Sequence, residues 1–182
     1  VHYTTNLPPR DIGLRFAVHN SVSGLAAIER RPVIVPDVSQ PDYFLVAPST
    51  DGRVARLIPQ TSGGPRYQRV LEREKERIRA ELAVPLWSAG GRTITGILNA
   101  ETPREDGFSE AQRADLAELG RRRGDEFHEA VLRGDSAGLH TLLDAALAIS
   151  GTTFGQLLDI DGDELIIVAT TTPDYTFPSA AT

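Results

Sequence analysis

The chain of 182 residues has no cysteine, no methionine, one tryptophan and only 6% aromatic residues. Without cysteine there can be no disulfide, no thiolate nucleophile, no thiolate metal site and no thioether-linked chromophore. The longest apolar runs, such as Leu165 to Ala169, are far shorter than the roughly 20 residues that span a bilayer, so no membrane insertion is expected. Positive charge is also in deficit. Nineteen basic against 25 acidic residues leave a formal charge of −6, which repels a polyanion and argues against a nucleic-acid partner. No Walker loop, nucleophile elbow or dinucleotide fingerprint occurs, so no catalytic residue is proposed and the chain is not expected to be an enzyme. With no Met, Val1 first and no signal peptide, the expectation is a cytoplasmic fragment of a longer chain.

The composition, 40% hydrophobic and 24% charged, is that of an ordinary globular chain of one compact domain, or one domain with part of a second. Val1 to Thr5 read as the end of a strand. Ser21 or Ser23 can cap a short helix carrying Leu25, Ala26 and Ile28, which Pro32 stops, and Val33-Ile34-Val35 is a short buried strand. From Pro36 to Pro65 the composition turns to Pro, Gly, Ser, Thr and Asp, which predicts a long irregular loop of the kind that forms a lid. Arg66 to Arg79 reads as a solvated helix.

Leu82, Val84 and Leu86 alternate along a strand, Gly90-Gly91 supplies a turn, and Ile94 to Leu98 runs back as a hairpin. Ser109 and Gln112 have the spacing of a capping box, and Leu116, Leu119, Phe127, Ala130 and Val131 give the helix behind it a buried stripe. Arg121 to Arg123 read as its solvated face. Gly134 to Gly138 breaks that helix. Leu139, Leu142, Leu143, Ala146 and Leu147 then define a second amphipathic helix, followed by strands from Thr153 to Ile160 and from Glu164 to Thr171 joined at Asp161-Gly162.

The chemistry-bearing residues are sparse. His2, His19, His128 and His140 stand at no metal-ligand spacing. Asp159, Asp161 and Asp163 look like the opening of a calcium loop, but Glu164 occupies the position that needs glycine, so a hairpin turn is the better reading.

Gly24-Leu25-Ala26-Ala27 with Arg31-Pro32-Val33-Ile34-Val35-Pro36-Asp37-Val38, then Glu81 to Leu86, Gly90-Gly91-Arg92, Gly96-Ile97-Leu98-Asn99-Ala100 and Phe108-Ser109 with Leu116 together resemble the GAF family of bacterial signalling proteins. The resemblance runs from Ser23 to Leu132. It implies an α+β fold of the GAF/PAS-like kind: an antiparallel central sheet of about six strands, flanked by helices, with a loop-rich cap over one face. Residues 1–133 would form such a domain without its first helix and strands, 134–138 a linker, and 139–182 a helix-strand-strand unit similar to that missing opening. Val168-Ala169-Thr170-Thr171-Thr172-Pro173 is similar to Val1-His2-Tyr3-Thr4-Thr5, as if both marked one point of a repeated fold. The tail then either begins a second domain or completes the first, within the chain or by a swap between partners. Completion is the expected arrangement, because a lone helix and hairpin would expose Leu142, Leu143, Leu147, Ile166 and Val168.

The resemblance implies a sensory and regulatory module that binds an unidentified small molecule, works as a homodimer, and signals to an effector domain such as a histidine kinase elsewhere in the parent protein. A ligandless dimerisation module is the alternative. Cyclic-nucleotide recognition within the family would need a Lys and an Asp-Glu pair where Ala100, Gln112 and Arg113 stand. The cysteine-dependent reductase and bilin-binding branches do not fit either. No cofactor or metal is identified. The expected ligand-binding residues are His19, Asp37, Tyr43, Phe44 and Tyr67, lining an apolar cavity under the 36–65 loop.

Overall fold

The structure, a computed structural model, describes residues 12–37, 43–48, 55–60, 78–105, 107–152 and 154–171, with the backbone alone for 43–48 and 55–60. The expected strand at Val1 to Thr5 and nearly all of the expected helix at Arg66 to Arg79 lie outside these residues. Eight strands form one sheet: β1 (Arg15–Ala17), β2 (Val33–Val35), β3 (Tyr43–Pro48), β4 (Ala55–Gln60), β5 (Ala80–Trp87), β6 (Ile94–Thr102), β7 (Phe154–Asp161) and β8 (Glu164–Thr170). Their order is β1-β8-β7-β6-β5-β2-β4-β3, and every described pairing is antiparallel except β2 with β4. The helices are α1 (Val22–Glu29), α2 (Glu110–Arg133) and α3 (Ser136–Ser150), with a 3-10 turn at Val18–Asn20. The class is thus α+β, with more strands than the six expected.

Tyr43–Pro48 and Ala55–Gln60 account for a correction. Expected inside an irregular cap, they pair with each other and lengthen one edge of the sheet. The prolines that argued for a loop stand where the ladder tolerates them. Pro48 ends the outermost strand, and Pro59 lies beyond Ala55 and Arg56, the β4 residues that pair with β2.

Alternation along the strands divides the core in two. Leu82, Val84, Leu86, Leu98, Leu157 and Val168 face α2 and α3, packing on Leu116, Phe127, Val131, Leu139, Leu142 and Leu143. Ala83, Ile97, Leu158, Leu165 and Ile167 face the opposite way, towards Val22 and Ala26 of α1. Burying each such leucine stabilises the fold by about 1.5–3 kcal/mol, which is why the tail strands join the sheet and do not hang free. β7 lies between β6 and β8 in the same chain.

The helix ends follow from their residues. Ser21 Oγ accepts the Gly24 amide at 2.9 Å and caps α1, which stops at Arg30 in the left-handed region, two residues before Pro32. Ser109 and Gln112 form the capping box of α2, and Gln112 Nε2 also donates to the Ser150 carbonyl at 2.8 Å, tying the start of α2 to the end of α3. The break between these helices is shorter than expected. Gly134 adopts positive φ and Asp135 already caps α3 by accepting the Gly138 amide, so the helix opens at Ser136 and not at Leu139. At the Asp161–Glu164 turn, both carboxylates pair with Arg15 of β1, at 2.9 and 2.8 Å. The turn reading holds there.

Arg121 and Arg122 pair with Glu118, and Arg123 with Glu126, on the outer face of α2 as expected. The contact residues are the flanking glycines. A Cβ on Gly120 would lie 2.4 Å from the Pro85 carbonyl oxygen, and one on Gly124 would lie 2.0 Å from that of Trp87. Both positions let α2 rest directly on β5, and Thr95 Oγ1 reinforces the seat by donating to the Gly124 carbonyl at 3.0 Å. An exposed helical glycine gains about 1 kcal/mol on replacement by alanine. Here the sign reverses. Gly124→Ala is expected to lower stability by about 1–3 kcal/mol through overpacking, measured by urea unfolding, whereas Arg122→Ala stays within about 0.5 kcal/mol of the parent.

Candidate functional site

The face of the sheet beneath α2 and α3 is apolar, whereas the α1 face carries polar side chains at one end. Following the alternation of Ala83 and Ile97, the residues Glu81, Asn99 and Glu101 all point to the α1 face. Glu81 lies directly across from Glu101, and Asn99 lies between Ala83 on β5 and Gln156 on β7, with Thr170 of β8 beyond Gln156. Glu81, Asn99 and Glu101 are only 6%, 3% and 8% exposed. Like charges facing each other across a pair of strands are destabilising, and buried carboxylates are more so, which makes this row costly to keep. Both glutamates are engaged in interactions. Asn99 Nδ2 donates to Glu101 Oε1 at 3.0 Å, while Asn99 Oδ1 is buried with no hydrogen-bond partner.

Asp37 closes one end of the row. It follows β2 at a position set by the pairing of Val35 with Glu81, and its carboxylate lies 3.4 Å from Arg79 Nε. Arg79 also reaches Glu105 at 3.1 Å, near the surface. At the opposite corner, Thr152 Oγ1 donates to the Glu101 carbonyl and Thr171 Oγ1 accepts the Gly155 amide, so hydroxyls from the tail secure the ends of β6 and β7.

The five residues expected to bind a ligand are not brought together among the described side chains. Asp37 is buried beside the row. His19 is exposed in the 3-10 turn near β1, on the far side of the sheet order from Asp37. Tyr43 and Phe44 belong to the edge strand β3, opposite Gln60 and Pro59, with side chains outside the described set. Tyr67 lies outside the described residues altogether. Sequence reasoning missed Glu81 and Glu101. Their only local signal was phase: Glu81 falls in step with Ala83, and Glu101 in step with Ile97 and Asn99, and only the pairing of the strands shows that this phase is buried.

One end of α1 is fixed to the other end of this face. Arg30 holds φ of 56°, a conformation that costs a non-glycine residue about 1–2 kcal/mol. Its side chain offsets this, with the guanidinium 4.9 Å over the Trp87 ring and Nη2 donating to the Arg92 carbonyl at 2.6 Å.

Among the described residues, no group of three or more His, Asp or Glu is placed to hold a metal ion, and no helix is long and apolar enough to cross a membrane. Compared with family models, curated proteins and solved structures, the chain shows no significant match.

Asp159, on the α2 side of β7, has a carboxyl raised above the ordinary aspartate range because burial disfavours its charge, only partly offset by the Ile160 backbone amide and by His128. In the folded chain this group keeps its proton to higher pH than in the unfolded chain. Folding therefore binds a proton just above pH ~4, and stability falls as pH rises through that window. Asp159→Asn is expected to flatten the fall and to be the more stable protein at pH 7, while matching the parent in acid; urea unfolding at both pH values measures this.

Proposed function

We propose that the chain is a sensory and regulatory module of the GAF type, binding a small molecule on the α1 face of the sheet and relaying occupancy to an effector domain of the parent protein. The observation that carries this reading is the division of the sheet: α2 and α3 seal one face with hydrocarbon, while the other keeps a buried polar row at one end. A purely structural sheet gains nothing from such a row, whereas a binding site needs a few placed polar groups in an apolar wall. The segment from α3 to β8 supports the same reading, since it sets beside β6 a helix and two strands in the order that resembles the opening of such a domain. On this view residues 1–133 and 139–182 build one domain of a cytoplasmic protein, without catalytic activity of its own.

The route outward is short. α1 packs on the same face over Ala83 and Ile97 and ends at Arg30 on Trp87, and the Trp87 carbonyl is the surface on which Gly124 of α2 rests. A ligand that shifts α1 thereby presses on the seat of the long closing helix.

Dimerisation through α2 and α3 as the main task is less well supported. Their outward residues are mostly charged or small, and Leu132, at 68% exposure, is the large apolar side chain the described part of α2 leaves open.

Native mass spectrometry of the purified chain tests the proposal. The expected outcome is a reproducible extra mass that is lost on unfolding and whose re-addition raises Tm with concentration, as binding to the folded state requires. A clean apo dimer with no ligand-dependent Tm would overturn it in favour of the dimerisation module.

A further inference from the structure

We propose that a second copy of this chain docks on the outer edge of β3, the two β3 strands pairing antiparallel about a two-fold axis at Leu45 to form one continuous sheet; this stands whether or not a ligand binds. The two edges of the sheet differ. β1 is three residues long and carries Arg15, paired with Asp161 and Glu164, and shortness and charge both blunt an edge. β3 is six residues long, Tyr-Phe-Leu-Val-Ala-Pro, with no charge, and among the described residues it pairs on one side alone, with β4.

Proline fixes which peptide groups that edge presents. Partners along an antiparallel ladder alternate between pairs that exchange both N–H···O bonds and pairs that exchange none. Pro59 has no N–H to give Phe44, so the Phe44–Pro59 pair is of the second kind. By alternation Leu45 and Ala47 bond to Ile58 and Arg56, and the N–H and C=O of Phe44 and Val46 turn away from β4, outward. Pro48 shares their phase and ends the row, since it has no donor to add.

That row is complementary to itself. With two β3 strands centred on Leu45, Phe44 of each stands opposite Val46 of the other, and every outward N–H and C=O of both residues is exchanged. Moving the centre to Val46 brings Phe44 against Pro48 and leaves the Phe44 carbonyl without a donor. Because β3 is uncharged, two copies of a chain of net charge −6 meet there with no like charges opposed across the strands. The two-fold pairing uses both β3 edges and leaves only the blunted β1 edges, so the assembly closes at a dimer.

Amide hydrogen exchange of the whole chain, read by NMR and accompanied by light scattering, tests this without any substitution. Leu45 and Ala47 are expected to be protected at every concentration, whereas Phe44 and Val46 are protected in the dimer and exchange at least about tenfold faster once dilution yields monomer. Protection of Phe44 and Val46 in the monomer means that another segment of the chain covers the edge, and it overturns the inference. So does their rapid exchange in the dimer, or a chain that stays monomeric at the NMR concentration.

A dimer that does not dissociate on dilution is resolved by cross-linking, which the absence of native cysteine makes clean. Residues opposed at the axis lie about 4.5 Å apart between Cα atoms, within reach of a disulfide. Under mild oxidation Leu45→Cys is expected to yield linked dimers at least about tenfold faster than Leu132→Cys, which reports on the exposed face of α2. Equal rates, or faster linking through position 132, overturn the β3 interface.

Discussion

The ladder between β6 and β7, from Gly96 with Asp159 to Glu101 with Phe154, is the interaction on which the rest of the structure depends. It joins two stretches of chain separated by two helices, and it is long-range in sequence, so it forms only when α2 and α3 have folded back on each other. The Gly134 and Asp135 turn makes that possible, because a left-handed glycine ends one helix where an aspartate begins the next. Once β7 is in place, β8 and β1 extend the sheet in turn. Without it, Leu157, Leu158, Ile166 and Val168 would face water, and the polar row would lose Gln156 and Thr170 from its far side.

The same ladder explains why the two faces of the sheet can differ. Leucines from β5, β6 and β7 interdigitate with those of α2 and α3 so fully that one layer carries most of the hydrophobic stabilisation. That surplus allows the other layer to hold Glu81 and Glu101 opposite one another, an arrangement a marginal core could not tolerate. The main hydrophobic layer and the polar row thereby lie on opposite sides of one sheet. The glycines of α2 belong to the stabilising side, since they bring the helix backbone within contact of β5 and leave no slack between the layers.

How much of this was legible in the sequence depended on whether local chemistry or long-range packing decides each feature. The capping box at Ser109 and Gln112, the stripe from Leu116 to Val131, both hairpins and the short helix after Ser21 follow from neighbours a few residues apart, and all were readable. The strands Tyr43–Pro48 and Ala55–Gln60 were not, because Pro and Gly around them speak for a loop and only pairing at a sheet edge reveals that those prolines are harmless. Arg121 to Arg123 drew attention that belonged to Gly120 and Gly124, whose role appears only when β5 lies beneath them. Asp37 was recognised by position but without its partner, Arg79, which lies 42 residues later in the chain. Glu81 and Glu101 passed as ordinary strand residues, since nothing local says that their face is buried.

That burial is what turns composition into a functional argument. A glutamate on a half-exposed antiparallel strand is commonplace, and a pair across a ladder on a wet face would be screened to near insignificance. On a face where Ala83, Ile97 and Leu158 exclude water, each polar atom of the row must instead be satisfied by a neighbour, as Glu101 is by the Asn99 amide. The Arg30 to Trp87 contact makes the argument mechanical as well. A backbone strained at Arg30 is kept in place by a ring stack and a single hydrogen bond, while Trp87 offers α2 a rigid carbonyl seat. α1 is thus held at both ends, since the Val18 amide just before it donates to the Asp163 carbonyl, and between them Val22 and Ala26 pack on the sheet.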